Sequence, residues 1–275
     1  MEESMKTNKL FILVVAMILV ASCSTQKELV VLCTNDTHSQ ILPNDENRGG
    51  YARLAGIIDT IRAHHRNVIL LDDGDFSQGT VFFNLFKGDV EIAGMSLDRY
   101  DAVTLGNHEF DNGVDSLAKH LKKATFPIVN ADYDVSKTAL AYIVKPYLIV
   151  RKGGLKIGIF GLGVSPDHLI TDANFKGIRY LNPIDRANEI SEMLKKKEKC
   201  NAVICVSHLG TDHNAVFSDW TVAKNSRYID LITSGHSHQV INTKVLNAVG
   251  DSVQIIQDGK GGVYLGRVNL LFNRQ

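Results

Sequence analysis

Along the chain, short apolar, β-branched runs alternate with stretches in which apolar residues recur every three or four positions, the two periods expected of strands and helices. Residues 29–34, 68–72, 102–105, 127–130, 202–206 and 230–233 are predicted strands. Residues 50–64, 90–99, 114–123 and 183–199 are predicted helices, the first presenting Leu54, Ile57, Ile58 and Ile61 on one face. The last opens with Asn182 as a cap and Pro183 at its first position. Between 142 and 159 two apolar runs flank Lys152-Gly153-Gly154, a hairpin signal. Residues 253–256 and 263–272 are expected to close the chain as an antiparallel pair. No internal repeat, low-complexity tract or linker divides the pattern, so interleaved strands and helices predict an α/β domain with mixed pairing. Two sheets packed face to face, each covered by helices, would accommodate this many strands, although periodicity alone does not fix their packing.

The first residues stand apart from this alternation. Lys6 and Lys9 precede an apolar stretch at 10–20, too short to span a bilayer comfortably but suited to a signal h-region. It ends in Val20-Ala21-Ser22-Cys23, which resembles the bacterial lipobox, whose cysteine is lipidated and becomes the first mature residue. Glycine or alanine is commoner where Ser22 stands. The resemblance implies a signal peptide at 1–22, lipidation at Cys23, a tether at 23–28 and the folded domain at 29–275. Such a chain would be an exported bacterial lipoprotein, anchored to a membrane and facing the periplasm or the cell exterior. A simple secretory signal with an incidental cysteine is the alternative, and both place the mature protein outside the cytoplasm.

Basic and acidic side chains number 30 each, so net charge gives no reason to expect a standing nucleic-acid partner. The densest charged run, Lys195-Lys196-Lys197-Glu198-Lys199, reads as the solvated end of a helix. With Cys23 set aside, Cys33, Cys200 and Cys205 show no metal-like spacing. Cys33 and Cys205 fall inside apolar strand runs, where a thiol packs as a small hydrophobe, and no disulfide or sulfur ligand is assigned.

Candidate chemistry concentrates just beyond the strands. Asp36-Thr37-His38, Gly74-Asp75, Gly106-Asn107-His108-Glu109, Ser207-His208 and Gly235-His236-Ser237-His238 each follow an apolar run. Strand ends on one edge of an open α/β sheet converge on a crevice, where side chains distant in sequence can meet. The two-residue spacing of Asp36 and His38, repeated by His236 and His238, would send both side chains to one side of a continuing strand. Gly106 permits a sharp turn that exposes Asn107 and His108. Singly these signals are weak: a Gly-Asp is usually a turn, and one histidine is more often structural, as expected for His64, His65, His120, His168 and His213. Five clusters in this order, each after a strand, point instead to a shared metal site. Histidine and carboxylate ligands favour Zn, Mn or Fe over Ca, with Mg or Co as possible occupants.

These five clusters resemble the signature of calcineurin-like metallophosphoesterases. More narrowly, Asn35-Asp36-Thr37-His38, Gly50-Tyr51-Ala52-Arg53-Leu54, Gly74-Asp75-Phe76-Ser77-Gln78-Gly79-Thr80, Gly106-Asn107-His108-Glu109-Phe110-Asp111 and Phe126-Pro127-Ile128-Val129-Asn130-Ala131 are similar to the catalytic domain of bacterial 5′-nucleotidases. The resemblance runs from about residue 29 to the end of the chain and implies a four-layer α/β/β/α sandwich of two mixed sheets. It implies two divalent metal ions, one held by Asp36, His38 and His238, the other by Asn107, His208 and His236, with Asp75 bridging. Some members of the family carry glutamine where His238 stands. His108 and Asp111 would form a catalytic dyad, Asp111 orienting an imidazole that stabilises negative charge or protonates the leaving oxygen. The implied reaction is removal of phosphate from nucleotides by metal-bound hydroxide. A broad phosphomonoesterase and a cyclic-nucleotide or UDP-sugar phosphodiesterase are alternatives, because the same metal pair can attack diesters. A metal-dependent binding lipoprotein is the reading from a different class. Family 5′-nucleotidases usually continue into a second domain that holds the nucleotide, so a separately encoded nucleotide-binding chain is an expected partner beside the phosphate-ester substrate.

Overall fold

The computed structural model describes residues 26–273, so the expected signal peptide at 1–22 and the expected lipidation site Cys23 lie outside the described residues. The first half of the chain contributes β1 (Lys27–Thr34), α1 (Tyr51–His64), β2 (Val68–Asp72), α2 (Val81–Phe86), α3 (Asp89–Asp98), β3 (Ala102–Val103), α4 (Val114–Leu121), β4 (Ile128–Val129), β5 (Tyr133–Asp134) and β6 (Val144–Lys145). The second half contributes β7 (Tyr147–Lys152), β8 (Leu155–Leu162), β9 (Arg179–Tyr180), α5 (Pro183–Glu192), β10 (Ala202–Ser207), α6 (Asp219–Asn225), β11 (Leu231–Ser234), β12 (Val240–Leu246), β13 (Ser252–Asp258) and β14 (Gly266–Phe272).

Two six-stranded sheets result, ordered β14-β1-β2-β3-β4-β6 and β12-β13-β11-β10-β8-β7, with β5 and β9 as a separate small pair. In the first sheet β1, β2, β3, β4 and β6 run parallel and β14 lies antiparallel along β1. In the second, β13, β11, β10 and β8 are parallel, with antiparallel β12 and β7 at the edges. Both sheets are therefore mixed.

Alternation along β1 shows how the layers stack. Leu29, Val31 and Cys33 share a core with Ile157, Ile159, Ile204 and Val206 of the second sheet. Their neighbours Val30 and Leu32 belong to another core with Leu54, Ile58, Ile92, Met95 and Leu117 from α1, α3 and α4. On the far side, Phe160, Val203, Cys205 and Ile232 pack with Ala187, Ile190, Val222 and Ala223 of α5 and α6. Helices, sheet, sheet, helices is the four-layer order that the resemblance implied. Each central strand is covered on both faces, so it reads as a continuous apolar run, and each fully buried Leu, Ile or Val contributes about 1.5–3 kcal/mol.

Local chemistry sets several boundaries. The Asn182 carboxamide accepts from the backbone N–H groups of Ile184 and Asp185, starting α5 at Pro183 as expected. That helix keeps regular α geometry only to Glu192 and finishes in a wider π-helical turn at Met193–Lys197. In α1, Leu54 and Ile58 are buried, whereas Ile57 is 45% exposed and contributes little to the core. Gly153 and Gly154 take positive φ values of 55° and 72°, turning β7 into β8 with Lys152 opposite Leu155.

The expected closing pair does not form. Residues 253–256 lie in β13, which pairs antiparallel with the unforeseen strand β12 and parallel with β11. The last strand, β14, instead crosses to the other sheet and places Val268 opposite Val31. Gly259, Gly261 and Gly262, all at positive φ, allow the chain to swing between sheets rather than fold back as a hairpin.

Candidate dinuclear metal centre

All five clusters lie past the carboxyl ends of parallel strands, β1, β2 and β3 from one sheet and β10 and β11 from the other. The crevice therefore lies across the junction of the two sheets. Strand alternation is not what directs the ligands into it. Asp36 (φ 46°), His38 (46°), Asp75 (54°), His236 (71°) and His238 (53°) all adopt left-handed backbone, so the pleat has ended before each pair. Asp and His tolerate this region better than most residues, yet each such position costs on the order of 1–3 kcal/mol, a strain characteristic of functional sites.

Backbone hydrogen bonds hold the loops against one another. Asp36 N–H donates to Gly74 O at 3.0 Å, His38 N–H to Asp75 O at 3.0 Å and Gly261 N–H to Asp36 O at 2.7 Å. His236 N–H donates to the Asp36 carboxylate at 2.9 and 3.1 Å, tying the two sheets' loops together. His108 N–H donates to Asp75 Oδ1 at 2.9 Å. Glycine clears the space between the ligands: a Cβ on Gly106 would collide with Asp75 Oδ1 and stand 2.7 Å from His208 Cε1 and Nε2.

The side chains fall into two groups joined at Asp75. Asp36, His38 and His238 form one trio and Asp75, His208 and His236 another, the ligand atoms of each trio lying within 4.8 Å of one another. In the first, His238 Nε2 is 3.3 Å and His38 Nε2 3.9 Å from Asp36 Oδ1. In the second, His208 Nε2 is 3.1 Å from Asp75 Oδ2, and Asn107 Oδ1 lies 3.1 Å from His236 Nδ1. Asp75 also groups with His38 and His108, so its carboxylate is within reach of both trios.

These residues fit a pair of divalent cations. Asp36, Asp75 and His208 are almost wholly buried, and a buried carboxylate requires a compensating charge. His208 Nε2 is buried 3.1 Å from Asp75 Oδ2 but off the line of a good hydrogen bond, and His38 Nε2 faces His238 Nε2 at 3.0 Å. Two lone pairs cannot share such a gap without a proton or a cation between them. Imidazole nitrogens, carboxylates and one neutral amide oxygen make a donor set suited to Zn, Mn or Fe.

The ionisation pattern shows the same demand for positive charge. His208 donates from Nδ1 to the carbonyl oxygen of Asp73 at 2.6 Å, which directs Nε2 toward Asp75. Burial works against a charge on His208, but Asp75 and Asp36 outweigh it and raise its pKa to about 10. For His236, burial and the neighbouring His208 lower the pKa to about 4, leaving a neutral ring with a lone pair to offer. Burial opposes ionisation of Asp75, yet His208 and His108 hold its carboxyl well below the usual range. A metal cation satisfies the same carboxylates that a proton on His208 otherwise neutralises.

His108 and Asp111 stand beside the two trios. The His108 ring centroid is 5.4 Å from that of His38, and its Nδ1 lies 3.0 Å from Asp111 Oδ2. That hydrogen bond, opposed by burial, raises the imidazole pKa. A cavity of about 530 Å³ opens over the site, lined by His38, His108 and His238 together with Gln40, Gln78 and Lys260, a volume within the range of small-molecule sites. The five histidines set aside in the sequence lie elsewhere. His65, His120 and His64 bond to Glu28, Asp89 and the Thr60 carbonyl, His213 stacks on Trp220, and His168 lines a separate cavity.

Glu109, within the third cluster, has a role that the sequence does not assign. Its carboxylate is buried and accepts from the N–H groups of Gly106 (2.7 Å), Asp75 (2.8 Å) and Ser77 (3.0 Å), clamping two ligand loops. Burial and the charge of Asp75 raise its pKa to about 7. Asn35 was also unassigned: Nδ2 donates to Asp36 Oδ2 at 2.6 Å and Oδ1 accepts from Asp258 N–H at 3.0 Å. A polar residue directly preceding a ligand, and an acid closing a glycine-initiated turn, were the signals available for these two.

The family model described as calcineurin-like phosphoesterase matches residues 29–240. A 5′-nucleotidase of Vibrio cholerae serotype O1 is 33% identical over 89% of this chain and 49% of its own length. A snake venom 5′-nucleotidase from Naja atra is 32% identical over 90% of this chain and 50% of its own. The chain thus spans about half the length of these curated relatives. Among solved structures, a 5′-nucleotidase precursor from Thermus thermophilus superposes with a TM-score of 0.81 at 28% identity, covering 90% of this chain and 54% of the other. A family match over most of the chain, joined to the four-layer fold and the crevice that gathers the motif residues, places the protein among the calcineurin-like phosphoesterases.

Proposed function

We propose that the protein is a dinuclear-metal phosphohydrolase that removes phosphate from nucleotides, with Asp36, His38 and His238 on one metal, Asn107, His208 and His236 on the other, and Asp75 shared. The observation that carries this reading is the convergence of the side chains on one crevice, six of them grouped through Asp75, which is within reach of both trios, and the seventh, Asn107, 3.1 Å from His236 Nδ1. When bound, two divalent cations supply Lewis acidity toward phosphoryl oxygens and an activated water. The chain's own residues supply the rest. His108, its Nδ1 bonded to Asp111, presents Nε2 to protonate the departing oxygen. Asp111 fixes the tautomer, and Lys260 at the cavity rim offers a cation to the incoming phosphate ester.

Nucleotide specificity rests on the 5′-nucleotidase relatives and extends to a region they possess beyond this chain's match. Leu42, Val81 and Leu85 are 61%, 59% and 69% exposed on segments adjoining residues that line the cavity, which supports a covering nucleotide-binding chain. Residues 29–275 are the catalytic unit in this reading, and 1–22 with Cys23 export and anchor it, facing the periplasm or cell exterior.

The test is phosphate release from nucleoside monophosphates, a cyclic nucleotide, a UDP-sugar and nitrophenyl phosphate by protein loaded with Mn or Zn. Nucleoside monophosphates are the expected best substrates, with Asp75→Asn losing metal and His108→Ala keeping both metals but losing most turnover. Fully loaded protein with no turnover on any of the panel would leave the metal-dependent binding lipoprotein standing instead. Preferential cleavage of the diesters would reassign the site to a phosphodiesterase.

A further inference from the structure

At the end of the molecule opposite the metal centre, Arg62, His65, Arg66, Arg99 and Lys152 line a cavity of about 340 Å³. They come from the last turn of α1 and the residues after it, from the end of α3, and from the β7–β8 turn, three segments distant in sequence. The cavity sits beside the first residue of β2, Val68, and Asp75 follows seven residues later, roughly 20 Å away along the strand direction. Asp101 is the one carboxylate in the lining, and it pairs with Lys152 at 3.3 Å. Arg62 is oriented by the carbonyl oxygens of Asp98 (2.6 Å) and Arg99 (3.1 Å), and the Asp98 carboxylate acts on Arg62 and Arg99 from nearby without an ion pair to either among the described residues. His65 carries Glu28 on Nδ1 and Arg267 on Nε2, bringing a further guanidinium to the same edge. Arg66 and Arg99 are exposed and make no ion pair among the described residues. A chain of zero formal charge therefore gathers its cations locally, and like charges brought together favour an anionic partner.

The occupant follows from where the chain enters the fold. Lys27, the first residue of β1, reaches this same end: Val30 lies opposite Val68, and a Cβ on Gly154 would stand 3.0 Å from Lys27 Nζ. Cys23 is four residues earlier, at most about 14 Å of extended chain. A lipid on that cysteine would hold the basic end against the bilayer surface. We propose that this pocket docks onto the phosphate headgroups of an anionic lipid surface and thereby keeps the metal cavity turned away from the membrane. The inference rests on the export reading for the presence of a membrane and is independent of the hydrolase reading, whose activity in solution is a separate readout.

The experiment compares flotation of the full chain with vesicles of phosphatidylcholine alone and with phosphatidylcholine–phosphatidylglycerol mixtures. Association through a lipid, and any anionic preference of leader residues Lys6 and Lys9, is the same in the parent and in the pocket variants, so the share of the increment on anionic vesicles that the variants lose isolates the pocket. That increment should fall roughly 30-fold in the Arg66→Gln/Arg99→Gln double variant, given the contribution of each cation near an anionic bilayer, and should vanish at high salt. Lys152→Gln should lower it by a smaller factor, while melting temperature and hydrolysis remain those of the parent in all variants. An increment that survives in the double variant would overturn the proposal. So would its complete displacement by inorganic phosphate without salt effect, which would assign the pocket to a soluble anion.

Discussion

Gly106→Ala removes no ligand and changes no charge, so its effect isolates the geometry of the centre. The added Cβ would collide with Asp75 Oδ1 and lie 2.7 Å from His208 Cε1 and Nε2, where ordinary contact begins at 3.4 Å. His208 must therefore retreat by about 0.7 Å and Asp75 must rotate away as well, and each movement exceeds the tolerance of roughly 0.2 Å within which metal–ligand distances are held. His208 cannot move freely, because it is fully buried and fastened through Nδ1 to Asp73 O at 2.6 Å. Overpacking of this kind costs about 1–3 kcal/mol, which in a domain of this size lowers the melting temperature by about 2–12 °C. Metal affinity should fall at least tenfold, as it does when the supports of metal ligands are disturbed. Gly56→Ala is the matched control: nothing lies within 4 Å of its added Cβ on the exposed side of α1, and alanine there should add about 0.5–1 kcal/mol of stability. Metal titration and thermal melts of both variants give the answer. Wild-type affinity and turnover in Gly106→Ala would refute the claim that Asp75 and His208 jointly bind metal across that glycine.

Other perturbations reach the site from different directions. In Asp111→Asn the hydrogen bond that raises the His108 pKa is weakened, so the imidazole loses its proton at lower pH. Because the protonated form serves the leaving oxygen, the alkaline limb of kcat/KM against pH should move downward, and an unchanged limb would remove His108 from that role. Glu109→Gln presents an amide to three backbone donors, leaving at least one buried N–H unpaired at a cost of about 1–3 kcal/mol. Its melting temperature should drop with little change in pH profile, whereas a variant as stable as the parent would deny the clamp. Chelation should lower the melting temperature, by the equivalent of about 2.7 kcal/mol if the metal had been present at a hundred times its dissociation constant. Melts identical with and without chelator would show that the buried carboxylates of Asp36 and Asp75 need no metal.

The strand ends were legible because both faces of the central strands are buried, which writes them as unbroken apolar runs with polar residues beginning where the strand stops. β2 runs from Val68 to Asp72 as expected, and the ligand clusters follow. Their convergence was legible too, but not its cause: left-handed backbone at Asp36, His38, Asp75, His236 and His238 leaves no periodic trace, since the loops are held by contacts across the molecule. β12 leaves no continuous apolar run because it is an edge strand whose alternate residues remain exposed. The partner of β14 could not be read locally either. Its register with β1 joins residues more than two hundred positions apart, and the same apolar alternation would satisfy a hairpin with β13. The role of Glu109 depends on N–H groups from a second loop, which a single motif does not reveal. The basic pocket leaves no local signature for the related reason that its arginines and lysine are scattered through a chain of balanced charge.

Anomalous diffraction from crystals of the Mn- or Zn-loaded protein locates the bound ions atom by atom. Two peaks about 3.5–4 Å apart are expected in the crevice, both bonded to Asp75, one also to Asp36, His38 and His238 and the other to Asn107, His208 and His236. A single ion, or a pair that does not share Asp75, would contradict the two-metal assignment and the reaction built upon it.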